Sequence, residues 1–183
     1  MSGVKSSSFQ KVSTKRPALF LDRDGTVMQE VDHCHRSEDV FVYPGVKELL
    51  HRAGELGWYR IIITNQSGIG RGYFTVEDFE SVQAEVQHQV EGAIDASYFA
   101  PDVPGSGSLR RKPEPGMILE AARDFPIDLA QSWMIGDRGS DIGCGKAAGC
   151  RTALVLTGYG EEYRDVGADL VASDITEVLK QIL

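Results

Sequence analysis

The residues of this chain best able to do chemistry fall in four short segments. In Asp22-Arg23-Asp24-Gly25-Thr26, two carboxylates stand two positions apart, directly after the apolar run 18–21. So placed, both can enter one site, with Asp22 as a nucleophile toward phosphorus and Asp24 as the acid/base for the leaving-group proton. The competing reading is an Asp-rich turn that caps a strand. Thr64-Asn65-Gln66-Ser67-Gly68 offers a hydroxyl and two amides to phosphate oxygens, in a turn whose backbone N–H groups can form an anion nest. A plain polar turn is the alternative there. Its continuation, Gly68-Ile69-Gly70-Arg71-Gly72, reads as a phosphate cradle or as a flexible turn. Arg110-Arg111-Lys112-Pro113 supplies a lysine point charge for a transferred phosphoryl group and arginines for a second phosphate, although basic runs are usually just solvated. Gly136-Asp137-Arg138-Gly139-Ser140-Asp141 supplies oxygen ligands for a hard cation such as Mg²⁺, with Asp141 also suited to cap a helix.

Elements must bring these segments together. Apolar runs at 18–21, 59–63, 97–100, 133–135, 153–156 and 170–172 read as strands. Helical spacing marks 46–56, 75–91, 116–125, 141–148 and 174–183 as helices, with Thr75 and Asp78 as a capping pair, Gly149 closing the fourth and Ser173 capping the last. Strands that alternate with helices, and that lack polar alternation, predict an α/β fold: a three-layer, Rossmann-like, mostly parallel sheet with helices on both faces. Ligands of such sheets bind beyond the carboxyl ends of the strands, and all four segments lie there. The loop 101–108 joins neighbouring elements and reads as part of the site rather than as a linker. Residues 1–16 read as a disordered tail and 17–183 as one domain, with no insertion long enough for a separate cap. An open site follows.

Bulk properties narrow the partners. The formal charge is −8, a poor basis for general nucleic-acid binding. No apolar run is long enough to span a membrane, and the basic, polar start lacks the apolar centre of a signal peptide. Three dispersed cysteines, Cys34, Cys144 and Cys150, are not a disulfide framework and suit a reducing cytoplasm. His33, Cys34 and His35 carry metal-ligand atoms, but neighbours in one loop rarely converge on one ion.

Together the four motifs resemble the haloacid dehalogenase superfamily of phosphatases over residues 18–160. Within it, TNQSGIGRGYFT, RRKPEPGM and GDRGSD resemble the D-glycero-D-manno-heptose 1,7-bisphosphate 7-phosphatases of nucleotide-activated heptose (lipopolysaccharide or capsule) biosynthesis, and Ser67 stands where histidinol-phosphate phosphatases usually carry Asp. The resemblance implies that Asp22 becomes an aspartyl phosphate and that Asp24 protonates the leaving group, then activates water. It implies Mg²⁺ held by the Asp22 carboxylate, the Asp24 backbone carbonyl and Asp137, with Asp141 in support. Thr64 and Lys112 would bind the transferring phosphoryl. Asn65, Gln66, Ser67, Arg71, Arg110, Arg111 and Arg138 would face the substrate, a small sugar phosphate acted on by a monomer. Many members of the subfamily carry a four-ligand zinc site just before the RKP motif. Those places are Ala100, Asp102, Ser108 and Arg110 here, so no structural zinc is expected. A receiver-type signalling domain gathers similar groups, but it needs its phosphorylated Asp on a central strand, and a pair on the first strand argues against it. A polynucleotide 3′-phosphatase fits neither the charge nor the lack of an aromatic-rich basic groove.

Overall fold

The computed structural model describes residues 14–183. Six strands form one wholly parallel sheet: β1 (Ala18–Leu21), β2 (Tyr59–Asn65), β3 (Ala96–Ala100), β4 (Trp133–Gly136), β5 (Arg151–Val155) and β6 (Leu170–Ala172). Their spatial order is β3-β2-β1-β4-β5-β6. The helices are α1 (Val46–Glu55), α2 (Ser67–Gly70), α3 (Val76–Gln89), α4 (Gly116–Asp124), α5 (Gly139–Ala148) and α6 (Ile175–Ile182).

Strand residues are apolar on both sides because each side is covered. Leu19, Leu21, Ile62, Trp133 and Ile135 pack with Val46 and Leu50 of α1, Val82 and Val86 of α3, and Val178 and Leu179 of α6. Ala18, Phe20, Ile61, Ile63 and Met134 pack with Met117 and Ile118 of α4 and with Cys144 and Ala148 of α5. This alternation within continuous apolar runs is what a doubly covered parallel sheet requires. No helix among the described residues is long and apolar enough to cross a membrane.

Several expectations about boundaries are met and others corrected. Thr75 and Asp78 cap α3 reciprocally, with Asp78 N donating to Thr75 Oγ1 at 3.2 Å and Thr75 N donating to Asp78 Oδ2 at 2.8 Å. Gly149 ends α5 in the left-handed region, φ 81°. The cap of α6 is Asp174 rather than Ser173: its Oδ1 accepts from Thr176 N and Glu177 N, while Ser173 Oγ only donates to Asp174 Oδ2. Helix α5 starts two residues earlier than expected, because Asp141 sits inside its first turn and accepts from Arg138 N at 2.9 Å. Residues 1–13 of the expected tail lie outside the described residues. Arg16 is in the fold: its N donates to Pro126 O, its O accepts from Asp128 N, and its guanidinium lies 4.1 Å from the Tyr59 ring centre. The glycines of 68–72 are largely accounted for by packing. A Cβ on Gly68 would meet the Phe74 ring at 2.1 Å, and one on Gly70 would meet the Pro101 carbonyl oxygen at 2.4 Å.

Helix α5 reaches the sheet through Gly145, where an added Cβ would lie 2.6 Å from Met134 Cβ and 2.7 Å from Thr152 Cγ2. Ala is the better helix former by about 0.5–1 kcal/mol, but overpacking against such immobile atoms costs about 1–3 kcal/mol. Gly145→Ala is therefore expected to lower the thermal midpoint by about 3–6 °C in calorimetry.

Candidate active site

Strand β1 lies between β2 and β4, so the ends of β1 and β4 are neighbours. The chain leaves β1 toward one edge of the sheet and β4 toward the other. The diverging loops open a crevice at this crossover. It is a cleft of about 430 Å³. The central place of β1 removes one objection to a receiver-type domain, since its Asp is on a central strand after all.

Asp22, the first residue beyond β1, is buried on the cleft floor, and its Oδ1 accepts from Lys112 Nζ at 2.8 Å. Lys112 Nζ also donates to Ile63 O at 2.8 Å and lies 2.6 Å from Asp141 Oδ1. Asn65 pins the Lys112 backbone from both sides, donating Nδ2 to Lys112 O and accepting from Lys112 N. Asn65 lines the cleft, as expected of a substrate contact, while its amide also holds Lys112. Thr64 and Gln66 are buried beside Asp22, and Gln66 Nε2 donates to both Thr64 Oγ1 and Asp24 Oδ2 at 2.9 Å. Asp24 is held on this side, and its carboxylate is not among the three that converge, those of Asp22, Asp137 and Asp141.

Asp137 follows β4 and is fully buried. Its Oδ2 accepts from Tyr159 N at 2.8 Å, and the backbones of Gly25 and Gly158 close over it, where a Cβ would come within 2.4 and 2.1 Å of that oxygen. Both glycines have positive φ, so nothing else fits this fold of the chain so easily. Asp137 Oδ1 is buried without a hydrogen-bond partner. One carboxylate oxygen from each of Asp22, Asp137 and Asp141 lies within 4.8 Å of the others. Burial raises the Asp22 pKa to about 6, against the lowering pull of Lys112. Burial, then the Asp22 charge, raise Asp137 to about 8. Clustered oxygen donors, with Asp137 Oδ1 orphaned and with Asp22 and Asp137 held above the ordinary carboxylate range, fit a hard divalent cation such as Mg²⁺. Among the described residues the ligand atoms of His33, Cys34 and His35 are not among those that converge in this way. Instead His33 and His35 pack on Tyr73 and Phe74, and Cys34 lines the cleft.

The rim is cationic on one side. Arg111 lines the cleft, with Nη1 donating to the Asp102 carbonyl at 2.9 Å. Burial lowers its pKa, and the charges of Arg71 and Arg138 add to this. Arg138 also lines the cleft, stacked 3.7 Å from the Tyr159 ring centre. Ser67 is at the cleft wall, but Arg71 is exposed and off the wall, and Arg110 turns away to pair with Glu120 at 3.0 Å. The loop 101–110 is closed on itself: Ser108 Oγ donates to Asp102 Oδ2 at 2.9 Å and accepts from Arg110 N at 3.3 Å.

Sequence reasoning missed Glu30, Ser140, Tyr159 and Tyr163, all on the cleft wall. Burial, and then Asp24, raise the Glu30 pKa to about 7. Tyr159 follows β5, so the rule that ligands sit beyond strand ends was enough to flag it. Glu30 lies eight residues past Asp22 in an irregular loop, where no local pattern marks it.

Removing the ammonium isolates two buried carboxylates. Lys112→Met is expected to cost about 3–5 kcal/mol at pH 7, measured in EDTA by urea titration. Burial already raises the folded-state pKa of Asp22 to about 6, and losing the lowering pull of Lys112 raises it further above the unfolded value. Stability is then lost as pH rises through that window, so the deficit should shrink toward pH 5.

A family model described as HAD-hydrolase-like matches residues 109–178. The D-glycero-alpha-D-manno-heptose-1,7-bisphosphate 7-phosphatase of Burkholderia mallei is 41% identical over 78% of this chain and 80% of its own. The D-glycero-beta-D-manno-heptose-1,7-bisphosphate 7-phosphatase of Helicobacter pylori is 41% identical over 76% and 83%. The crystal structure of D,D-heptose 1,7-bisphosphate phosphatase from B. bronchiseptica, complexed with magnesium and phosphate, superimposes with a TM-score of 0.84 at 30% identity, over 91% and 98% of the two chains. With this fold and this carboxylate–lysine floor, the chain belongs to the haloacid dehalogenase-like hydrolases and is a phosphatase similar to the heptose-1,7-bisphosphate 7-phosphatases.

Proposed function

We propose that the chain hydrolyses a phosphate monoester through an aspartyl-phosphate intermediate, removing the 7-phosphate of D-glycero-D-manno-heptose 1,7-bisphosphate. The observation that carries this reading is the Asp22–Lys112 pair at the crossover, beside two further carboxylates and with Asp24 on the wall of the same cleft. Asp22 attacks phosphorus as the bond to the ester oxygen breaks, and Asp24 gives its proton to the departing alkoxide. Asp24 then takes a proton from the water that attacks the aspartyl phosphate, which frees phosphate and restores Asp22. Thr64 offers its hydroxyl to a transferring phosphoryl oxygen, and the Lys112 charge beside Asp22 offsets that of the phosphoryl group. Asp22, Asp137 and the Asp24 carbonyl, with Asp141 in support, would hold Mg²⁺, which would supply the charge that lets a carboxylate approach an anionic ester. The loop 101–110 holds no structural zinc in this reading, and its hydrogen bonds take over the closing of the loop.

The second phosphate of the substrate is assigned to Arg111, helped by Arg138 and the nearby charge of Arg71. The named relatives include both anomers, so the reaction at C7 is the common element. In the test, kcat/KM is measured for both anomers of the bisphosphate and for histidinol phosphate. Turnover should favour the bisphosphate, vanish in EDTA, return with Mg²⁺ but not Zn²⁺, and be absent in Asp22→Asn. Preference for histidinol phosphate would overturn the substrate assignment, and phosphate release by Asp22→Asn would overturn the nucleophile.

Arg111→Ala separates anchoring from chemistry. Loss of a charged bidentate contact should lower kcat/KM for the bisphosphate by about 10–100-fold. For p-nitrophenyl phosphate, which has one phosphate, the loss should stay within about threefold. Equal losses on the two substrates would place Arg111 at the reaction centre or in the fold.

A further inference from the structure

Arg23, in the first motif, has a placement that the reaction as described does not explain. It stands between the two reactive carboxylates, yet its side chain is wholly buried, at 0% exposure. Its Nε donates to Asp24 Oδ2 and its Nη2 to Asp24 Oδ1, both at 3.1 Å. The guanidinium lies 5.3 Å from the ring centre of Phe79 on α3, and Nη1 has no hydrogen-bond partner. As a device for stability this is a poor arrangement. A desolvated guanidinium faces a partner that is itself 18% exposed, and one of its N–H groups is wasted. Such a group is better explained by what it does to Asp24.

Gln66 completes the grip. Asp24 as a carboxylate can only accept, so the Gln66 atom facing it is the amide nitrogen. The second hydrogen of that nitrogen meets Thr64 Oγ1, which must therefore accept. The hydroxyl hydrogen of Thr64 is left free for another acceptor. One amide thus sets the orientation of two groups that the reaction uses.

We infer that Arg23 and Gln66 are positioning residues. Together they lock the plane of the Asp24 carboxylate for proton transfer to the leaving group, and Gln66 turns the Thr64 O–H toward the phosphoryl oxygen. Asp24 Oδ2 takes bonds from both Arg23 Nε and Gln66 Nε2. Oδ1 takes one bond, from Nη2, and is the oxygen that carries the proton. The inference rests on the acid/base reading of Asp24, and its test separates the two.

The probe is the dependence of kcat/KM on leaving group across substituted phenyl phosphates. This ratio reports the steps up to loss of the alcohol, where the proton is needed. A good leaving group such as p-nitrophenolate departs without the proton, whereas unsubstituted phenolate needs it. In Arg23→Met and Gln66→Met, kcat/KM should fall about 100-fold for phenyl phosphate but no more than about tenfold for p-nitrophenyl phosphate, which steepens the slope. Asp24→Asn should be at least as steep. The thermal midpoint of Arg23→Met should match or exceed that of the parent, since methionine fills the site without a buried charge. Arg23→Lys, which keeps the charge but not the fork, should stay steep. A steep slope for Asp24→Asn with parental slopes for both methionine variants overturns the clamp alone. A parental slope for Asp24→Asn overturns the acid reading and the clamp with it. If Arg23→Met does not fold, Gln66→Met decides the matter by the same slope.

Discussion

The site is organised around one buried ammonium. Lys112 Nζ has three hydrogens and three oxygen neighbours: Asp22 Oδ1, Asp141 Oδ1 and the carbonyl of Ile63. These come from the end of β1, from the first turn of α5 and from the body of β2. An ammonium out of water is tolerable only when each donor is used, so this nitrogen fixes where three elements end relative to one another. The Asn65 amide repeats the constraint on the backbone, bonding Lys112 N and O at once. Misplacing any of these elements would orphan a charge rather than merely loosen a contact.

The same arrangement is unbalanced by design. Asp22, Asp137 and Asp141 present three carboxylates to one ammonium, and burial raises the first two above the ordinary carboxylate range. Asp137 Oδ1 has no partner at all. Asp137 is fully buried, with the backbones of Gly25 and Gly158 closed over its Oδ2. The imbalance is therefore held in place until positive charge arrives, and this is what makes a rigid pocket of hard oxygens fit a divalent cation.

How much of this was legible follows from where each signal lives. The strands were readable because a sheet covered on both faces demands continuous apolar runs. The strand-end rule then placed Asp22, Thr64, Lys112 and Asp137 in one crevice without any knowledge of contacts. What escaped depended on side-chain direction. Asn65, Arg110 and Arg111 are all polar residues at the right edge, yet Asn65 lines the cleft while gripping a backbone, Arg110 turns off to pair with Glu120 and Arg111 lines the cleft. Period and spacing do not distinguish these outcomes. The glycines of 68–72 looked like a phosphate cradle because close packing and anion binding call for the same residue. The cap of α6 fell to Asp174 instead of its neighbour Ser173 because the carboxylate accepts two N–H groups where a hydroxyl would take one. Arg23 was invisible for the opposite reason: an arginine between two aspartates reads as a surface charge, and only the fold shows it buried under Phe79.

The overall charge raises a last physical question, because a chain of −8 must admit an anion. Screening gives the answer. At physiological ionic strength exposed charges fade over about 8 Å, so the distant acidic surface counts for little inside the cleft. What an entering phosphate meets is local: Arg111 and Arg138 on the wall, with Arg71 close enough to depress the Arg111 pKa. These cations repel one another and are held together by fixed partners. The Asp102 carbonyl ties down Arg111, the Tyr159 ring supports Arg138, and the Asp102–Ser108 hydrogen bond closes the loop behind them. Crowding like charges costs stability in the empty protein and is relieved when an anion binds between them. The rim thus repeats the logic of the floor with opposite sign: an excess of one charge, held rigidly, that only the complementary ion can neutralise.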